Sequence, residues 1–244
     1  MPAETPDLSA YRRAPFVIEQ NNATGAVAYW QHGDPHSEAD ARGTSLAEYA
    51  HMLYGLIRQA KARDVLMIGC GGGSVATMLH RAGVTVTVVD IDAKSFEIAR
   101  LYFHMPDGIA CHVADGAEFL KGTKARYDAV VLDAYHRQEV PKHLLSPEFF
   151  AAVKARLKRG GVFLINMIAA GDEDRKPAFA CWRMTAHWPL ARLLDGRGDD
   201  NRNVVAMAGA VASFKVPRLM MKPARRARAI AKHLKAMHMR DFRR

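Results

Sequence analysis

The chain has 244 residues with 35 Lys and Arg against 25 Asp and Glu, a formal charge of +10. The excess is local, since residues 215–244 hold eleven basic side chains and one acid, which leaves 24 of each sign in the first 214. A neutral body excludes a protein that is basic throughout and coats nucleic acid, and no apolar run approaches the roughly 20 residues of a bilayer-spanning helix. The length suits one α/β core with small additions. The start, MPAETPDLSAYRR, lacks the basic and then apolar pattern of a secretory signal. Cys70, Cys111 and Cys181 are widely spaced and read as reduced thiols without metal-ligand spacing. Together these features predict a cytoplasmic protein with no metal site and no membrane attachment.

In chain order, Pro15 to Gln20 and Ala26 to Gln31 read as short extended runs around an Asn-Asn-Ala-Thr-Gly turn, a small β unit. Residues 32–44 are polar and read as loop. Leu46 to Arg63 carries apolar residues at helical spacing. A regular alternation follows: strands at Val65–Ile68, Val84–Val89, Ile109–Val113, Ala129–Leu132 and Val162–Ile165, and helices at Ser74–Ala82, Ala93–His104, Ala117–Lys121 and Pro147–Lys158. Such alternation predicts βαβ units and a mainly parallel sheet whose strands, buried on both faces, are almost continuously apolar. Leu190–Leu194 and Val204–Met207, joined by the turn residues 195–201, predict an antiparallel hairpin at the sheet edge. Arg225 to Met239 reads as an amphipathic helix with a basic outer face.

In such sheets ligands bind beyond the carboxyl ends of the strands. The first end carries Gly69-Cys70-Gly71-Gly72-Gly73, a turn that lets a ligand approach backbone N–H groups at a helix start, although a glycine turn also serves strand-to-helix packing alone. The second carries Asp90, twenty-one residues after Gly69, where an acid binds the two hydroxyls of a ribose or merely meets solvent. The third carries Asp115-Gly116, placed to reach an adenine amino group, and the fourth carries Asp133-Ala134-Tyr135-His136. A dinucleotide is the natural competitor, but its fingerprint wants a glycine where Ser74 stands and gives no role to Asp115 or Asp133. Cys70 reads as a small filler in the turn.

The segments IGCGGGS, VVDIDAKSFEIAR, VADGAEFL, YDAVVLDAYHRQEVPKHLLSPEFFAAV and LKRGGVFLINM, in that order, resemble the spermidine synthase-like family, with similarity from about residue 15 to about 210. The resemblance implies an α/β, Rossmann-like class I methyltransferase fold. It implies a β-hairpin extension over residues 1–44, a nucleoside-binding transferase domain over 45–214 and a basic helix or tail over 215–244. It also implies roles: Gly69, Gly71, Gly73, Asp90, Asp115 and Gly116 around the nucleoside donor, and Asp133, the first acid of the family's Asp-x-x-Asp signature, at the attacking amine. An amine with a pKa near 10 is protonated at pH 7 and must lose a proton before it attacks. The signature's second acid is replaced here by His136, and Glu139 lies close enough in sequence to substitute. Tyr135 and Gln31 are further substrate-side candidates, Tyr49 reads as core packing, and His143 as a packing or capping residue of the following helix.

The function implied is transfer of an aminopropyl group from decarboxylated S-adenosylmethionine to an amine. The alternatives are a methyltransferase that uses S-adenosylmethionine itself and a non-catalytic nucleoside-binding protein, against which the intact acids argue. The partners implied are a small-molecule amine or other small acceptor and a second copy of the chain. The basic tail reads as a solvated terminal helix in preference to a nucleic-acid attachment, and its small apolar face lacks the Trp of a membrane-surface helix.

Overall fold

The computed structural model describes residues 16–31, 33–136, 138–196, 198 and 201–243. The readings that touch MPAETPDLSAYRR, Pro15, His32, Arg137, Arg197, Asp199, Asp200 and Arg244 lie outside the described residues at those positions. Two sheets organise the chain. The first joins β1 (Phe16–Asn21), β2 (Ala26–Gln31) and β3 (Asp34–Ala39), all antiparallel. The Asn21 side chain accepts from the Ala23 and Thr24 N–H groups and so tightens the predicted turn. β3 corrects the reading of residues 32–44 as loop over the stretch Asp34–Ala39. Its sequence, DPHSEA, has little strand propensity, and its pairing with β2, through a bulge at Tyr29 and Trp30, holds it extended.

The second sheet has eight strands in the order β11-β9-β10-β8-β7-β4-β5-β6. Five are parallel neighbours: β4 (Asp64–Ile68), β5 (Thr85–Asp90), β6 (Ala110–Val113), β7 (Tyr127–Leu132) and β8 (Leu157–Ala169). Three run antiparallel beyond β8: β10 (Arg202–Gly209), β9 (Leu190–Asp195) and β11 (His238–Arg243). Side chains alternate strictly between the two faces. Val65, Met67, Val162 and Leu164 enter one core, with α1 (Glu48–Gln59), α2 (Ser74–Arg81), α3 (Ala93–Phe103) and α7 (Ala227–Ala236). Leu66, Ile68, Phe163 and Ile165 enter the other, with α4 (Gly116–Gly122), α5 (Pro147–Arg156) and α6 (Lys176–Met184). The result is a three-layer arrangement of the predicted α/β class, with a mainly parallel sheet. The small sheet packs Val27, Tyr29 and Ala39 against Ile98 and Phe103 of α3.

Three features depart from the predicted elements. α5 ends at Arg156 and β8 begins at once, with Gly160 and Gly161 inside an irregular stretch of the β7–β8 pairing rather than in a separate turn. α6 is not among the predicted elements. Pro177 sits in its first turn, and Ala180, Cys181 and Met184 bury against the sheet. The tail does not end as a helix, because β11 follows α7 and pairs with β9, so β11 and not the β9–β10 hairpin forms the sheet edge. Its exposed charges, with Asp241 on Arg192 at 2.7 Å, suit an edge strand.

α7 buries Ile230 and Leu234 while Arg228, Lys232 and Lys235 stay exposed, the packing that a solvated terminal helix requires. The segment leading into it is tied to β3: Asp40 accepts from the Ala224 N–H at 2.8 Å, and Arg226 pairs with Glu38 at 2.6 Å. Leu234→Ala is therefore expected to destabilise the fold by about 2–5 kcal/mol, and Lys232→Ala by less than about 0.5 kcal/mol. Urea denaturation of both variants checks this, and equal midpoints would refute the docking of α7. Among the described residues, no helix is long and apolar enough to cross a membrane.

Candidate active site

A cleft of about 670 Å³ opens beyond the carboxyl ends of the parallel strands, under β2 and β3. The strand order lays its polar groups out in a row: Asn166 on β8, Asp133 after β7, the glycine loop after β4, Asp90 at the end of β5 and Asp115 after β6. With strands roughly 4.8 Å apart, the three steps from Asp133 to Asp115 span about 14 Å.

Gly69 makes this row compact. Its φ of +100° belongs to glycine, and a Cβ there would stand 2.1 Å from the Asp133 carbonyl oxygen. Gly71 lines the cleft beside it. Gly73 lies behind the loop at the start of α2, where a Cβ would meet Met105 Sδ at 2.7 Å and Ala99 Cβ at 3.0 Å, so its observed contacts are packing contacts with α3 and the residues after it. Gly116 lines the cleft and lets α4 start against Ile68. Cys70 is half-buried, and its N–H donates to Asp90 Oδ2 at 2.8 Å. Burial pushes its thiol up, away from the reactive thiolate.

Asp90 Oδ1 accepts from the Asp92 N–H at 2.9 Å, so each carboxylate oxygen holds one backbone donor and keeps lone pairs for a ligand. Burial raises its pKa, and those N–H groups oppose the rise. Asp115 caps α4 by accepting from the Ala117 and Glu118 N–H groups, and its Oδ2 lies 2.8 Å from His143 Nε2. Burial works to raise the Asp115 carboxyl, but His143 and the two N–H groups outweigh it and hold the group below the usual carboxylate value. His143 thus faces the cleft and orients Asp115, a contact that its position before α5 did not reveal.

Asp133 is the most perturbed carboxyl of the row. Burial pushes it up to about 6, opposed by an N–H from Asn166, whose Nδ2 donates to Oδ1 at 2.8 Å. Asn166 Oδ1 in turn accepts from Asn203 Nδ2 at 3.1 Å. Tyr49 packs on the core with its ring and lines the cleft, and burial together with the Asp133 charge raises its hydroxyl far above the usual value. Tyr135 lines the cleft with its hydroxyl buried, raised in the same way. Gln31 lines the cleft and accepts from the Tyr29 hydroxyl at 3.2 Å. Ser37, on the unforeseen β3, accepts from the Gly72 N–H at 2.8 Å and seats the small sheet on the glycine loop.

His136 lies exposed at the mouth of the cleft, where its backbone pairs with Glu139. Glu139 turns away from the cleft. Its carboxylate is exposed, does not line the cleft, and pairs with Lys176 of α6 at 2.6 Å. Glu139→Gln is expected to leave donor affinity and turnover within about twofold of the parent, because a surface ion pair contributes little. A tenfold fall in kcat/KM would place Glu139 at the substrate after all. Asp34 belongs to no motif in the sequence. It lines the cleft from β3, and its Oδ1 accepts from Gln138 at 3.0 Å.

A family model described as the spermine/spermidine synthase domain matches residues 47–168. The chain belongs to the spermine/spermidine synthase family. A probable polyamine aminopropyl transferase of Bifidobacterium longum is 34% identical over 113 residues, 46% of this chain and 25% of that protein. An N-terminal histidine N-methyltransferase of Emericella nidulans is 31% identical over 187 residues, 70% of this chain and 33% of that protein. The chain thus spans between a quarter and a third of these curated relatives. Among solved structures, a probable spermidine synthase from Corynebacterium glutamicum superposes over 93% of this chain and 87% of its own, with a TM-score of 0.76 and 19% identity. Human methyltransferase-like protein 13, solved in complex with SAH, superposes over 78% of this chain and 91% of its own, with a TM-score of 0.57 and 21% identity. At these identities the two structures share the fold.

Proposed function

We propose that this chain is a spermidine synthase-like transferase that passes an aminopropyl group from decarboxylated S-adenosylmethionine to an amine. One observation carries the reading. The described lining of the cleft holds five carboxylates, Asp34, Asp90, Asp92, Asp115 and Asp133, and no Lys or Arg. Such a lining favours a cationic donor and a cationic acceptor.

In this reading Asp90 takes the ribose hydroxyls, Asp115 the adenine amino group, and Asp133 the acceptor. The ammonium gives a proton to Asp133, and the freed nitrogen attacks the propyl carbon next to sulfur. The new N–C bond forms as the C–S bond breaks, and its electron pair returns to sulfur. The products are a neutral thioether nucleoside, a secondary ammonium and the proton held by Asp133, which passes to solvent. Burial of Asp133 narrows the gap between its pKa and that of the amine, which makes it a better base than a solvated carboxylate.

Methyl transfer to an amine is the second reading, favoured by the Emericella nidulans relative and by His136 in place of the second acid. The two readings share the amine nucleophile and differ in the donor. Calorimetric titration with S-adenosylmethionine, its decarboxylated form and methylthioadenosine, followed by mass analysis after adding putrescine, separates them. A product heavier by one aminopropyl group supports the first reading and one heavier by a methyl group the second. Failure of all three nucleosides to bind removes both.

A further inference from the structure

We propose that Asn166 and Asn203 are positioning residues that fix Asp133 with Oδ1 occupied and Oδ2 presented to the acceptor amine. The inference rests on the transfer to an amine proposed above. Asn166 is 1% exposed and stands on β8 between Ile165 and Met167, in a sheet interior that is otherwise apolar. A buried amide there costs free energy unless its groups are hydrogen-bonded, and an apolar side chain would serve the sheet better. Its partners give the reason for its presence: Asp133 Oδ1 at 2.8 Å on one side and Asn203 Nδ2 at 3.1 Å on the other.

The polarity of this chain follows from chemistry. An ionised carboxylate only accepts, so Asn166 must turn its NH₂ toward Asp133 and its oxygen toward Asn203. Asn203 must then donate to Asn166, which leaves its own side-chain oxygen facing away from Asn166. The order ties β7, β8 and β10 into one hydrogen-bonded row. Because Oδ1 already holds an N–H, a proton taken from the amine resides on Oδ2. The other titratable groups facing Asp133 are Tyr49 from α1, Tyr135 from its own loop and Cys70 from the glycine loop. Burial raises all three, so they stay neutral while Asp133 titrates.

The test compares Asn166→Leu and Asn203→Leu with the parent chain. The first readout is a ¹³C titration of the Asp133 carboxyl, assigned by its loss in Asp133→Asn. The second is the pH profile of kcat/KM with an amine acceptor, beside the donor dissociation constant. An N–H bond favours the carboxylate, so its loss moves the Asp133 midpoint and the acid limb upward. Asn166→Leu is expected to move both by about one pH unit and to lower kcat about 10–100-fold, with donor affinity within about twofold. Asn203→Leu is expected to act in the same direction with a smaller effect. A folded Asn166→Leu with an unmoved midpoint overturns the proposal, as does a loss of donor binding equal to the loss of kcat. If Asn166→Leu does not fold, the same criteria apply to Asn203→Leu, whose site is only half-buried. If the parent transfers no group to any amine, the proposed function fails, while the carboxyl titration still decides whether Asn166 and Asn203 hold Asp133.

Discussion

Asp133→Asn is expected to lower kcat about 10²–10⁴-fold, leave donor affinity within about threefold, and raise the stability of the protein at neutral pH. The first part follows from placement. Asp133 is the carboxylate next to the glycine loop, held from behind by Asn166 and free on its other oxygen to meet an amine. An Asn there keeps the size and still accepts from Asn166, but it takes no proton. In the proposed function the donor is held by other groups, Asp90 and the glycine loop, so its binding is expected to survive. An Asp133→Asn variant with parental turnover would remove Asp133 from the mechanism.

The gain in stability follows from the sign of the pKa shift. Burial raises Asp133 from an ordinary value of 3.8 to about 6, so the native state binds this proton more tightly than the unfolded chain does. The stability that protonation gives is complete below pH 3.8 and is lost as the pH rises through about 6. Above that the ionised group costs at most about 3 kcal/mol at 1.36 kcal/mol for each pH unit. Asp133→Asn removes that cost, so its melting temperature should exceed the parent's at pH 7.5 and approach it at pH 4. The same shift sets the activity profile of the parent, which should fall as Asp133 becomes protonated below about pH 6. A melting difference that grows on acidification would contradict the burial argument.

What the sequence revealed and what it hid divide along physical lines. The parallel strands were legible because burial on both faces makes them apolar runs, and the acids at their ends stood out against that background. Gly69, Asp90, Asp115 and Asp133 are therefore found where periodicity puts them, along one edge of one cleft. β3 was illegible because DPHSEA carries no strand signal of its own and is held by β2. With it went Ser37 and Asp34, whose positions depend on a tertiary pairing. Asn166 was hidden inside an apolar strand, where a single polar residue invites no notice until its neighbour just after β7 is known. Glu139 shows the opposite failure. Nearness in sequence to the signature suggested a substitute acid, and the turn at His136 directs it to Lys176 instead. α6 carried a usable signal, Pro177 ahead of a helical row of buried residues. β11 was masked because its basic residues continue the composition of the helix before it.

Gly69→Ala is expected to lower stability, donor affinity and kcat together, because one atom would enter the contact that joins the proposed donor loop to the proposed catalytic acid. The φ of +100° is unfavourable for alanine, and the added methyl would stand 2.1 Å from the Asp133 carbonyl oxygen and 2.9 Å from the Ala134 nitrogen. All of these neighbours are backbone, so no side-chain rotation relieves the clash. The ends of β4 and β7 must separate, although the Asp133 N–H donates to the Ile68 carbonyl at 2.8 Å. Backbone strain and overpacking together cost about 2–5 kcal/mol. Asp133 moves with its backbone, so kcat falls along with donor affinity, unlike in Asp133→Asn. Gly122→Ala is the matched control, since it lies at the end of α4 with nothing within 4 Å of a Cβ, and it should leave the melt unchanged or slightly raised. Thermal melts and donor calorimetry on both variants make the comparison. A Gly69→Ala protein with the parent's melting temperature and donor affinity would show that the loop does not approach Asp133 as closely as the structure has it.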